Sequence, residues 1–186
     1  MKPQTDIFGK ALKTYFQNPK KQSLTTWTNL TDEDDVPLSY FFRAYKGMPS
    51  LEKKALDLAS GKILDVGCGS GSHSLYLQNK KQDVTALDIS KGAIEVAQER
   101  GVKKSHCISI WEFQESGYDT ILLLMNGMGI GKTISELPAL LQHLKGMLTT
   151  KGTILVDSSD LIYLFDEEDT KLWEEDETYY GEVDYG

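Results

Sequence analysis

The chain has 186 residues, enough for one domain with a buried core and at most a small appendage. Apolar residues at 40% and charged residues at 26% are ordinary for a soluble globular protein and set aside collagen-like, disordered and membrane-spanning classes. The net charge of −8 is concentrated in the last stretch: residues 166–186 hold ten Asp/Glu and one Lys, which leaves residues 1–165 with 19 Lys/Arg against 18 Asp/Glu and no basic surface for nucleic acid.

Residues 1–60 read as a helical, amphipathic cap or lid, broken at Asn18-Pro19 and at the acidic turn Thr31–Asp35. Within it, residues 39–45 are dense in aromatics and end at Gly47-Met48-Pro49. A short helix begins at Ser50, with Leu51, Ala55 and Leu58 predicted on its apolar face. From Lys62 the pattern becomes strand, loop, helix, repeated. The spacing predicts strands at 62–66, 83–87, 102–108, 118–124 and 153–156, and helices at 72–79, 91–100 and 135–148. The apolar run at 118–124 has the two-sided hydrophobicity of a buried parallel strand. Alternation of this kind predicts an α/β, doubly wound, mostly parallel sheet with helices on both faces. Residues 161–177 read as a helix and Thr178–Tyr185 as a strand with nothing after it.

The longest apolar run, Ile121–Met125, is too short to cross a bilayer. The start of the chain has no apolar signal stretch. Cys68 and Cys107 form neither a disulfide framework nor a zinc pattern. A cytoplasmic protein is expected, with no membrane partner and no metal.

The strongest chemical signal is Asp65-Val66-Gly67-Cys68-Gly69-Ser70-Gly71, placed directly after a strand and before a helix. Glycines allow a tight turn and a close approach of ligand to main chain, and the helix start at Ser72 offers unpaired amides. The second signal is Asp88, at the end of the next strand and 21 residues after Gly67, where a carboxylate can accept both hydroxyls of a ribose.

These two segments, Asp65–Gly71 and Leu87–Ser90, resemble the first two motifs of the class I S-adenosylmethionine-dependent methyltransferases. The resemblance runs on through Ser109-Ile110-Trp111 and residues 119–129, and spans about Leu51 to Asp157. It implies a Rossmann-like fold, S-adenosylmethionine as cofactor, and methyl transfer to a small-molecule acceptor. The cofactor contacts it implies are Asp65, Gly67, Cys68, Gly69 and Gly71 at the methionine end, Asp88 and Ile89 at the ribose, Ser109 and Ile110 at adenine, and Asn126 beside the sulfonium. Many members carry Asp where this chain has Ser109, which leaves the adenine contact to serine or to the Ile110 backbone. The lip Met125-Asn126-Gly127-Met128-Gly129 is not the Asn/Asp-Pro-Pro-Tyr/Phe type that holds a nucleobase amine.

No catalytic base stands out. His73 is either a base or a hydrogen-bonding residue at a helix start, and Asn126 either lines the site or caps a turn. Tyr40 and Arg43 fall where the family builds a lid; Arg43 either pairs with the methionine carboxylate or stacks on the surface. Met128 is a further candidate on the acceptor side. Two other readings compete: a non-catalytic binding module of the same fold, and a nicotinamide-dependent oxidoreductase, for which no Tyr-x-x-x-Lys pair follows the fifth predicted strand. The family's sheet has seven strands, so the chain is expected to lack its final strand or strands, as a truncated form of a longer enzyme would. An unpaired Thr178–Tyr185 strand then offers a homodimer contact.

Overall fold

The computed structural model describes residues 5–20, 22–28 and 32–160. The first element is helix α1 (Ile7–Gln17), capped at its start by Asp6. Strands β1 (Ser23–Thr26) and β2 (Asp34–Pro37) then pair antiparallel, Ser23 opposite Pro37 and Thr26 opposite Asp34. Two 3-10 turns follow, Leu38–Phe42 and Tyr45–Gly47, and then helix α2 (Ser50–Leu58). The main body comprises β3 (Lys62–Val66), α3 (Ser72–Asn79), β4 (Asp83–Asp88), α4 (Lys91–Glu99), β5 (Ser105–Cys107), β6 (Tyr118–Leu123), α5 (Leu137–Met147) and β7 (Leu148–Val156).

Strands β3 to β7 form a five-stranded parallel sheet in the order β5-β4-β3-β6-β7. Alternate residues of each strand face opposite sides. Leu64, Ile121 and Leu123 pack with Leu140, Leu144 and Met147 of α5 on one face. Ile63, Val84 and Leu122 pack with Leu56 of α2 and Leu77 of α3 on the other. The predicted doubly wound sheet with helices on both faces is what forms. β7 is longer than predicted, because Leu148 and Thr153–Val156 both pair with β6 around an irregularity between Tyr118 and Thr120. The predicted segments at 161–177 and Thr178–Tyr185 lie outside the described residues. Among the described residues, no helix is long and apolar enough to cross a membrane.

The N-terminal sixty residues differ from the helical expectation. The stretch at 23–37 is a two-stranded sheet, and Asp34 and Asp35 lie within β2 instead of a turn; the Thr25 hydroxyl donates to Asp35 (2.8 Å). Thr25, Thr26 and Val36 are β-branched and favour the extended chain once a partner strand is available.

Helix α1 lies across α4 at a crossing made of glycines. A Cβ on Gly92 would stand 2.6 Å from the carbonyl carbon of Gly9. The Asp6 carboxylate joins the two helix starts, accepting from the amides of Gly9 and Gly92 (2.8 Å each) and from the Ser90 hydroxyl (2.8 and 3.0 Å). Burial pushes the Asp6 carboxyl up, but the amides of Gly92 and Gly9 and the Ser90 hydroxyl outweigh it and hold its pKa below the ordinary value. A depressed carboxyl stabilises the fold fully above the unfolded-state pKa, about 3.9, and loses that contribution as pH falls through the lower folded-state value. Asp6→Ala is therefore expected to cost about 0.5–2 kcal/mol at pH 7, as for other helix caps. In urea melts across pH 7 to 2.5, the difference from the parent protein should shrink only at the acid end.

Candidate active site

At the end of β3 the chain turns, and the amides of Gly67 and Cys68 both donate to the Leu87 carbonyl of β4 (2.8 and 2.9 Å). Gly69 has φ +53°, a left-handed conformation, and a Cβ there would meet nothing closer than the Phe8 ring at 3.8 Å. Gly71 is also left-handed (φ +81°), but its Cβ would sit 2.7 Å from Val102 Cγ2 and 3.1 Å from Ala97 Cβ. Gly69 thus leaves room for a ligand, whereas Gly71 lets the loop pack against α4. The third helical residue of α3, Ser74, donates to the buried Asp65 carboxylate (2.5 Å).

Asp88, at the end of β4, accepts from the Gly69 amide through Oδ2 and from the Ser90 amide through Oδ1, 2.8 Å each. Burial raises its pKa, and these two amides only partly offset that. The neighbouring Cys68 thiol is pushed well above its ordinary range by burial, and further by Asp65 and Asp88, so it stays a neutral wall atom.

Beyond β5, the Ser109 hydroxyl accepts from the Trp111 amide (3.3 Å) and its carbonyl from Glu112 and Phe113. The Ile110 carbonyl accepts from His143 Nε2 (2.8 Å), which ties the loop after β5 to α5. Beyond β6, Met125 and Asn126 are both left-handed (φ 60°), a conformation that costs side chains free energy and needs outside support. The support is Asp157, just after β7, which accepts from both amides (2.9 and 2.8 Å). Asn126 Oδ1 accepts from Ser159 (3.2 Å), and its side chain makes no capping bond to the 3-10 turn Gly127–Gly131 that follows.

The remaining wall comes from the N-terminal segment. Phe8 of α1 and Phe41 meet edge to face, ring centres 5.2 Å apart. The Phe41 carbonyl accepts from the hydroxyls of Ser70 and Ser72, the latter at 2.8 Å. Arg100, at the end of α4, donates to the Ser70 carbonyl (2.6 Å) and to both serine hydroxyls, and its guanidinium lies 5.0 Å from the Phe42 ring centre. Behind this wall is a buried ionic cluster. Glu52 of α2 pairs with Arg43 through Oε1 and with His73 Nε2 through Oε2 (2.7 Å). Arg43 also lies 3.6 Å over the Tyr40 ring and donates to the Tyr40 carbonyl. The apolar face predicted for α2 was misassigned: Leu51 and Leu58 are 64% and 61% exposed, whereas Glu52 is 3% exposed.

These elements enclose a cavity of about 640 Å³, a typical small-molecule size. Of the residues predicted for the site, Gly67, Cys68, Gly69, Asp88, Ile89, Ser109, Ile110, Asn126, Arg43 and His73 line it. Asp65, Gly71, Tyr40 and Met128 do not: Asp65 is held by Ser74, Gly71 packs on α4 and Tyr40 lies beneath Arg43. The sequence reading did not find Phe8, Phe41 or Lys132 in the wall, nor Glu52, Arg100 and Asp157 behind it. Phe41 left a trace in the aromatic-dense segment 39–45, and Glu52 as an acid in the first turn of a helix.

The lining fits S-adenosylmethionine. A side chain at Gly69 would project into the cradle, and the Asp88 carboxylate retains accepting lone pairs beyond the two that its amide bonds use. Ile89, Ile110 and Trp111 supply apolar surface of the kind a base packs on, whereas the Arg43 cation is already paired with Glu52.

The comparisons agree with this geometry. The family model described as "Methyltransferase domain" matches residues 63–152. A crystal structure of an S-adenosylmethionine-dependent methyltransferase from Bacteroides fragilis, in complex with S-adenosyl-L-homocysteine, is 40% identical with a TM-score of 0.86, covering 97% of this chain and 73% of that one. The biotin biosynthesis bifunctional protein BioHC of Saccharophagus degradans is 28% identical over 101 residues, 50% of this chain and 17% of that protein. A ubiquinone biosynthesis O-methyltransferase of Xanthomonas oryzae pv. oryzae is 40% identical over 50 residues, 27% of this chain. The chain spans only 17% and 21% of the length of these two curated relatives. At 40% identity over almost the whole described fold, with a matching domain across the sheet, the chain belongs to the S-adenosylmethionine-dependent methyltransferases.

Proposed function

We propose that this chain binds S-adenosylmethionine against the glycine loop and transfers its methyl group to a small molecule in the same cavity. The observation that carries the reading is the Asp88 carboxylate, locked 2.8 Å from the Gly69 amide at the floor of a cavity of about 640 Å³. When bound, the cofactor supplies a methyl group on a sulfonium, an electrophile that needs no activation by the protein. The residues then have three tasks. Asp88 holds the ribose, the Ile89, Ile110 and Trp111 surface takes the base, and the fixed lip at 125–126 limits where an acceptor can stand. Alignment of this kind is enough to supply much of a displacement's acceleration. The Xanthomonas relative is named an O-methyltransferase, which favours oxygen as the atom methylated.

The reading includes a cytoplasmic setting and no nucleic-acid partner. It is supported by two unpaired cysteines and by the near balance of charge over residues 1–165. The test is calorimetry with S-adenosylmethionine, S-adenosylhomocysteine and NAD, followed by turnover on a panel of small hydroxyl and amine metabolites. The adenosyl ligands should bind at one per chain, NAD should not, and S-adenosylhomocysteine should accumulate with at least one acceptor class. Binding without any turnover would assign a sensor or scaffold, and tight NAD binding would overturn the cofactor.

A further inference from the structure

Three side chains with formal charge line the cavity: Arg43, Asp88 and Lys132. Arg43 is neutralised by Glu52, and Asp88 is taken by the amides of Gly69 and Ser90. Lys132 differs from both. Among the described residues its side chain makes no ion pair and no hydrogen bond, and the cavity it lines is also lined by the apolar side chains of Leu124, Met125, Ile130 and Trp111.

Its backbone is also singular. The Thr133 amide donates to the Gly131 carbonyl (2.9 Å) across Lys132, which stands at φ 66° and ψ −73°. This is the strained form of the γ-turn, rarely adopted by residues with a side chain. The segment before it, Gly127-Met128-Gly129-Ile130-Gly131, has glycine at every second position, yet the strained position itself carries a lysine. Gly131 is pressed against α5, where an added Cβ would stand 2.6 Å from Leu137 Cδ2, so the turn is anchored to a helix. Strain held by a firm support marks a position where the side chain has a task. Lys132 is exposed, and among the described residues no carboxylate neutralises its charge.

We propose that Lys132 anchors an anionic oxygen of the acceptor, so that the acceptor class is a small apolar acid, carboxylate or phenolate. This rests on the methyltransferase reading above and names the substrate class of that site. Such an acceptor enters already ionised, which agrees with a cavity that offers no separate base beyond His73, whose Nε2 is held by Glu52.

The experiment titrates benzoate, 4-nitrophenolate, benzyl alcohol and benzylammonium into the protein at pH 8, with and without saturating S-adenosylhomocysteine, by saturation-transfer NMR and calorimetry. At least one of the two anions should bind ten times more tightly than the alcohol, and the ammonium should bind no better than the alcohol. Lys132→Met should lose at least tenfold for that anion, with S-adenosylhomocysteine affinity unchanged. Lys132→Arg should retain most of it. Lys132→Gly should relieve the strain and raise the melting temperature, yet lose the anion as Met does. Equal anion binding by Lys132→Met, or benzylammonium binding as well as benzoate, would overturn the proposal. Failure of S-adenosylhomocysteine itself to bind would instead overturn the methyltransferase reading, and the anion titrations without it would still decide the role of Lys132.

Discussion

Asp88→Ala is expected to weaken S-adenosylhomocysteine binding by roughly 1.5–3 kcal/mol, the range for hydrogen bonds to a charged group, or about ten- to a hundredfold. The loss has two sources. The carboxylate that would accept from the ribose is gone, and the Gly69 and Ser90 amides lose the acceptor that fixes the loop and the start of α4. Because burial raises the folded-state pKa of Asp88, ionising it in the fold costs stability once the pH passes the unfolded-state value of about 3.9. The neutral amide avoids that cost but keeps only one accepting oxygen and turns an NH2 donor toward the Gly69 or Ser90 amide, so Asp88→Asn should melt below the parent at pH 7 and also bind the ligand more weakly. By the same sign, ligand affinity should fall as the pH drops through the raised Asp88 value, since the protonated carboxyl accepts less well. Calorimetry from pH 8 to 4.5, paired with melting curves, checks both. Unchanged affinity in both variants would remove Asp88 from the cofactor site.

The largest loss of stability is expected from Glu52→Ala. Glu52 is 3% exposed and balances Arg43, whose own side chain is nearly covered and whose Nε has no partner. Removing one member of a buried pair leaves an uncompensated charge, at a cost of about 3–5 kcal/mol. For a chain of this length that lowers the melting temperature by roughly 6–20 °C. Burial pushes the Glu52 carboxyl up, but His73 and Arg43 outweigh it and set its pKa below the ordinary value. Its contribution is therefore complete above the unfolded-state value, about 4.3, and disappears as pH falls through the lower folded one. Glu52→Leu combined with Arg43→Met should recover part of the stability, because an apolar replacement of similar volume removes both desolvation costs together, while the buried His73 Nε2 loses its partner. Thermal melts of the single and double variants at pH 7 measure the coupling. A single variant within about 1 kcal/mol of the parent would show that the pair is solvated after all.

The strand–glycine–helix alternation from Lys62 to Val156 was legible because its determinants are local. A parallel strand buried on both faces reads as an apolar run, a helix start needs its cap and amides, and a left-handed turn needs glycine. Those rules place Gly67, Gly69 and Asp88 together without any knowledge of the sheet order. They were less informative where one residue type serves two purposes. Gly69 and Gly71 look alike in sequence, yet one leaves space for a ligand and the other admits Val102. Asp65 and Asp88 both end parallel strands, yet Asp65 turns inward to Ser74 and only Asp88 faces the cavity.

What the sequence determined by itself is the class of sheet, the family, and the set Gly67, Gly69 and Asp88 that the fold brings to one cavity. The tertiary structure alone decided the N-terminal half and the acceptor side. Strands β1 and β2 are four residues each, too short for periodicity to separate from a helix until each supplies the other's hydrogen bonds. Leu51 and Leu58 were given to the buried face because a helix pattern assigns charge to the water face, and only the fold brings Arg43 and His73, 9 and 21 residues away, to pair with the buried Glu52. Asp157 holds amides 31 and 32 residues back in the chain, and Arg100 reaches 30 residues back to Ser70. A buried charge is stable only through partners that neutralise it, and when those partners lie in other elements, no local pattern of residues can announce them.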